Sequence, residues 1–267
     1  MTSDLLGKLA RLPPEKRAQL LQRAKARKKS GEPPLKRVLR RGELPLSFAH
    51  EGLWFLAELK PGNPFYIIPV RMRIRGPASV EAVQQALKEI IRRHEAWRTT
   101  FVSHDGRPSL VIGSPWEVTL RCVDLSGLEP GDRESIGYRL YLAEADRSFD
   151  LSVGPLVRIY LWRLDREENL LGFIRHHIIQ DMHGDFVLRE ELLILYSTYI
   201  RGEPSPLAEI KIQHVDYIVW ERKWLKGDVL EKHINYWRKQ LAGAPPLLEL
   251  PTDRPRPPIE THMGGVL

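Results

Sequence analysis

The chain has 267 residues, 42% of them apolar and 28% charged, which is globular composition with length for one large core or two modest ones. Its longest apolar runs, such as Leu170 to Ile174, fall far short of the roughly 20 residues that a membrane-crossing helix needs, and no basic-then-apolar leader opens the sequence. Cys122 is the only cysteine, so no intrachain disulfide can form, a thiolate zinc cluster is excluded, and a cytoplasmic location is expected.

The formal charge of +7 is unevenly spread. Residues 1–41 hold thirteen Lys or Arg against three Asp or Glu, a net of +10, so the remainder of the chain carries −3. A mildly acidic globular part argues against nucleic acid and against a membrane surface as partners. The basic arm, residues 1–41, reads as a helical linker or docking segment for a partner. Thr2 or Ser3 caps a short helix with Leu5, Leu9 and Leu12, and a second runs from Glu15 to about Lys28 with a narrow stripe of Ala18, Leu21 and Ala24. Ser30 to Pro34 reads as a linker, which places the domain start near Leu44 and predicts that deleting residues 1–38 leaves the fold intact.

From Tyr66 to Arg75 the pattern has period two, with Ile68, Val70, Met72 and Ile74 on one face and a solvated face of Arg71, Arg73 and Arg75 on the other. Ser79 then caps a helix that aligns Val83, Leu87, Ile90, His94 and Trp97, ahead of a strand at Thr99–Val102. Asp105-Gly106 marks a hairpin turn before the returning strand Leu110–Ile112. Residues 134–147 read as a helix. Pro155–Leu164 and Asn169–His176 read as strands joined by a tight turn. A helix is expected after Gly184 as far as Tyr199, followed by helices over Val215–Leu225 and Val229–Leu241, in which Trp220, Trp224 and Trp237 serve helix packing. The proline-rich tail from Ala244 to Pro258 is extended, and a new strand begins near Gly264. Strands and helices alternate without a strict rhythm, which gives an α/β layered domain over residues 42–243 and a crossover over 244–267.

The segment Arg175-His176-His177-Ile178-Ile179-Gln180-Asp181-Met182-His183-Gly184 places paired histidines at a strand end just before a helix. A histidine there can project into a cleft, where its near-neutral pKa suits it to accept a proton from an attacking amine. Asp181, four residues beyond His177, either shapes the connecting loop or pairs with a cation. Adjacent strand residues face opposite ways, so His176 and His177 do not chelate one metal ion together, and no metal site is expected.

Four segments, taken in order, resemble nonribosomal-peptide condensation domains. Leu46 to Phe55 resembles the family's opening motif, and Arg93 to Phe101 its second. His176 to Asp181 resembles the HHxxxDG signature, and Leu248 to Pro257 the crossover into a second lobe. The resemblance implies a chloramphenicol-acetyltransferase-like sandwich with the N-terminal lobe complete and the C-terminal lobe truncated. It also implies amide-bond formation between aminoacyl or peptidyl thioesters held on the phosphopantetheine of donor and acceptor carrier proteins, beside neighbouring synthetase domains. No cofactor is bound directly. His177 is then the catalytic histidine. His176 supports the loop, and Asp181 is a structural carboxylate held by an arginine, with Arg93 the best match and Arg98 the second. Met182, His183 and Gly184 are candidates to line the substrate channel. Met182 stands where the family has glycine, and His50 and Gly52 stand where the opening motif has Gln and Arg. These departures raise a second reading, a non-catalytic platform that recruits a tailoring enzyme or carrier protein. They also imply that Met182 narrows the channel or takes an unusual backbone angle.

Overall fold

The computed structural model describes residues 13–16 and 32–255. The helices expected around Leu5–Leu12 and along most of Glu15–Lys28, and the strand near Gly264, lie outside the described residues.

The framework is a four-stranded sheet. β1 (Ile67–Arg75) pairs antiparallel with β6 (Glu168–His176), β6 pairs antiparallel with β5 (Val157–Asp165), and β5 pairs parallel with β4 (Arg121–Asp124), giving the order β1-β6-β5-β4. The β5 and β6 segments are buried at most positions because both sheet faces are covered. Ile159, Leu161, Leu171 and Phe173 enter the larger core with helices α2 (Val80–Arg93) and α4 (Met182–Ile200). Tyr160, Trp162, Leu170 and Ile174 enter a smaller core under α3 (Pro130–Ala145). Gly172 sits under the Trp162 indole, where an added Cβ would lie 2.3 Å from a ring carbon, so β6 has room for no side chain there. A separate hairpin of β2 (Thr99–His104) and β3 (Arg107–Ile112) turns on Asp105 and Gly106, both at positive φ, as the Asp-Gly pair predicts.

Several local expectations hold. Ser79 caps α2 by accepting from the Ala82 N–H, and β1, β5 and β6 fall within two residues of their predicted spans. Two elements lack a readable sequence pattern. Helix α1 (Phe48–Leu59), capped by Ser47, carries apolar residues around much of its circumference, and β4 has only four residues. Helix α4 starts before Gly184 because the Asp181 carboxylate accepts from the Gly184 N–H at 2.8 Å and caps the first turn.

The Arg face of β1 is solvated as expected, with Arg71, Arg73 and Arg75 all exposed; Arg71 lies over the Tyr138 and Tyr141 rings at 4.5 and 5.2 Å, and Arg73 pairs with Glu134 and Glu168 at the surface. Two readings change. Trp220 and Trp224 of α5 (His214–Trp224) stack at 5.0 Å, but Trp237 of α6 (Gly227–Gln240) is 58% exposed, on a helix with no buried residue. The segment expected to be a linker is attached to the fold near its end. Pro33 accepts from the Trp220 indole N–H at 2.6 Å, and Val38 and Arg40 both donate to Asp216.

Candidate active site

Strand β6 ends at His176, and the chain then makes a single tight turn, His177–Ile179, before α4 begins. The turn is held from both sides. The His177 N–H donates to Tyr66 O at 2.7 Å, and the Ile178 N–H donates to His176 Nδ1 at 3.1 Å. His176 is therefore an acceptor inside the fold, 5% exposed; its burial, with the neighbouring His177 adding to it, pushes its pKa down to about 4.

His177 is half-buried and lines a cleft of about 450 Å³. Its Nδ1 lies 3.1 Å from the Gln180 carbonyl oxygen. A carbonyl only accepts, so in the neutral ring Nδ1 carries the proton and Nε2 keeps its lone pair. The cleft walls come from five places: Ser47, His50 and Leu53 on α1; His94 and Trp97 after α2; Ile178 to Asp181 in the turn; Gly184, Val187 and Leu188 on α4; and His214 on α5.

Four of the chain's nine histidines thus surround one cleft. The sequence marks only His177 as a candidate for it. His50 is 5% exposed, with its ring edge-on to Phe101 and His214 at 5.1 and 5.0 Å. Burial, reinforced by His214, lowers its pKa to about 3 against an opposing hydrogen bond to the Ile178 backbone. His94 Nε2 lies 2.8 Å from Glu191 Oε2. The one signal for His50 is its place in the opening motif as a departure from glutamine. His94 reads from spacing only as part of a buried helix face.

The arginine expected to hold Asp181 is engaged elsewhere. Arg93 is 5% exposed, makes two hydrogen bonds to Glu191 and donates to the Leu207 and Ala208 carbonyls. Arg98 donates to Gly113 O at 2.6 Å. Neither bonds to Asp181, because Arg93 sits at the end of α2 and faces the middle of α4, whereas Asp181 caps that helix's N-terminus. The buried arginine next to this turn is Arg175, wholly inaccessible and paired with Asp185.

Of the three channel candidates, Gly184 lines the cleft, while Met182 and His183 are exposed and do not. Met182 is the first residue of α4 and 71% exposed, so it neither narrows this cleft nor needs glycine's backbone freedom. Among the described residues no three His, Cys, Asp or Glu side chains are placed to hold a metal ion, and no helix is long and apolar enough to cross a membrane.

Comparison with known proteins places this geometry in context. The sequence model of the Condensation domain family matches residues 40–265. A linear gramicidin synthase of Brevibacillus parabrevis is 44% identical over 229 residues, covering 86% of this chain and 4% of that protein. Phosphinothricin tripeptide synthetase PhsC of Streptomyces viridochromogenes is 37% identical over 266 residues, 98% of this chain and 24% of that protein. Among solved structures, the X-domain from teicoplanin biosynthesis in its complex with OxyB aligns with a TM-score of 0.72 and 30% identity, covering 85% of this chain and 49% of that chain. The first condensation domain of the calcium-dependent antibiotic synthetase, in complex with a substrate analogue, aligns at 0.70 and 23% identity over 77% of this chain and 48% of that chain, a likeness of fold. The chain therefore spans about half the length of these solved chains and a small part of the curated relatives it matches. The α/β, chloramphenicol-acetyltransferase-like class read from the motifs agrees with these neighbours. With the family match running from the anchoring Arg40 through the His177 turn to the tail, this chain belongs to the condensation-domain family.

Proposed function

We propose that this chain contributes the histidine-bearing wall of an amide-forming condensation site. The acceptor amine attacks the donor thioester carbonyl, and a C–N bond forms. His177 Nε2 takes the amine's proton. The C–S bond then breaks, and the proton passes to the departing phosphopantetheine thiolate, so no other reactant is consumed. The observation that carries this reading is the single hydrogen bond from His177 Nδ1 to the Gln180 carbonyl, which leaves a basic nitrogen on a ring that lines the cleft. His176 and Asp181 act by shaping the turn. Arg93 acts one step further out, through Glu191 and His94.

The substrates of this reading are donor and acceptor carrier proteins bearing thioester-linked residues, within a cytoplasmic synthetase whose neighbouring domains load and unload them. The basic arm, residues 1–41, is the segment proposed to link or dock to such a neighbour. Because the chain spans about half of the solved domains, the test uses a two-lobed domain that contains it. With loaded carriers supplied, His177→Ala is expected to slow condensation by about 10²- to 10⁴-fold. Equal rates for the two proteins would remove the role assigned to His177. A non-catalytic platform predicts instead that the unmodified domain binds a partner enzyme without turnover.

A further inference from the structure

Gln180 hydrogen-bonds both His177 and helix α4. Its backbone carbonyl accepts from His177 Nδ1, and its side-chain Nε2 donates to Asp185 Oδ1 at 2.7 Å. The same Asp185 oxygen accepts from Arg175 Nη2. Arg175 is wholly buried, and its Nε and Nη1 have no partner, so Asp185 is its counter-charge. Releasing that carboxylate would strand a buried cation, which fixes Asp185 more firmly than a surface pair would. Gly184 closes the arrangement from the other side: an added Cβ there would lie 2.7 Å from Gln180 Cγ, so the helix backbone presses on the Gln180 side chain.

From this connected path we infer that Arg175, Asp185 and Gln180 are positioning residues that hold His177 in the Nδ1-protonated tautomer, with Gln180 the link between the buried charge pair and the imidazole. None of the three lends an atom to the reaction. Their effect is to fix the carbonyl of residue 180 where it accepts from Nδ1, so that the Nε2 lone pair is available without a tautomer change. The inference rests on the proposed role of His177 for its functional meaning, but the hydrogen-bond path does not.

The test is nitrogen NMR of the 267-residue chain carrying ¹⁵N-labelled histidine, with His177→Gln used to assign the resonance. At a pH where the ring is neutral, the wild type is expected to show His177 Nδ1 as the protonated nitrogen and Nε2 as the bare one. Gln180→Met keeps length and packing against Gly184 and removes only the amide. It is expected to lower the ratio of Nδ1-protonated to Nε2-protonated ring at least threefold while the melting temperature stays close to wild type. A folded Gln180→Met chain with an unchanged ratio overturns the inference. The wild-type spectrum tests it without any variant, since a predominantly Nε2-protonated ring also overturns it. Absence of condensation by the unmodified two-lobed domain, with His177 in the expected tautomer, would instead count against the proposed function alone.

Discussion

Arg93 and Glu191 face each other across helices α2 and α4 through two hydrogen bonds of 3.1 and 3.0 Å, and His94 adds a third to the same carboxylate at 2.8 Å. Burial pushes the Glu191 carboxyl up, but the hydrogen bonds from His94 and Arg93 outweigh it and hold its pKa at about 2. A carboxylate depressed in this way contributes stability that is complete above its ordinary value of 4.5 and is lost as pH falls through about 2. Arg93→Ala leaves that charge with His94 alone and is expected to cost about 3 kcal/mol at neutral pH. Glu191→Gln is expected to be less stable than wild type at pH 7 and to lose less stability between pH 4.5 and 2. Urea unfolding at a series of pH values measures both effects, and parallel acid limbs for wild type and Glu191→Gln would refute the assignment.

The fold is legible where the signal is local, and the site only in part. Ser79, the Asp105-Gly106 turn and the alternation of β1 each act within a few residues, so spacing reveals them. The His177 turn is also visible as paired histidines between a strand and a helix. What joins Arg93 to Glu191 rather than to Asp181 is the packing of α2 on α4, which brings together residues 98 apart, and no periodicity encodes that. His50, His94 and His214 reach the cleft from three separate elements, so each in isolation looks like an ordinary packed or surface residue. Helix α1 is hidden for a different reason. Phe48, Leu53, Trp54, Phe55 and Leu56 do not leave a polar face from which a helical period can be read.

Buried neutral histidines make the fold around the cleft sensitive to acid. His50, with its pKa at about 3, and His176, at about 4, stay neutral in the fold, whereas both take up a proton near 6.5 once the chain unfolds. The unfolded state therefore binds more protons below pH 6.5. Stability is complete above that value and falls as pH drops towards 4 and 3, by about 1.4 kcal/mol per pH unit for each ring. His50→Gln is expected to remove one proton's worth of this slope between pH 6 and 5, whatever its effect on stability at pH 7. Urea midpoints at pH 7, 6 and 5 measure it. A variant whose slope equals that of wild type would show that His50 is already charged in the fold or equally neutral out of it.

Asp216 sets where the folded unit begins. Its side chain is wholly buried and accepts from Arg40 Nη1 at 2.7 Å and Nη2 at 3.0 Å, and from the Val38 and Gln213 N–H groups, each at 2.7 Å. Burial pushes the Asp216 carboxyl up, and these donors, led by Arg40, more than reverse the effect and leave it below the usual carboxylate range. Arg40 also bonds Glu95, 8% exposed, at 2.8 Å, so one guanidinium bridges two inward carboxylates. Deletion of residues 1–31 touches none of these bonds and is expected to leave the stability they supply in place. Deletion of residues 1–38, which the sequence alone makes harmless, removes the Val38 donor and the Pro33 acceptor of Trp220, and an intermediate loss is expected. Deletion of residues 1–41 strands the Asp216 and Glu95 charges without a cation and is expected to cost about 3–5 kcal/mol, with Arg40→Ala reproducing most of that loss. If the chain lacking residues 1–41 unfolds at the same urea concentration as the intact one, the segment around Arg40 is an appendage and the boundary belongs near Leu44 after all.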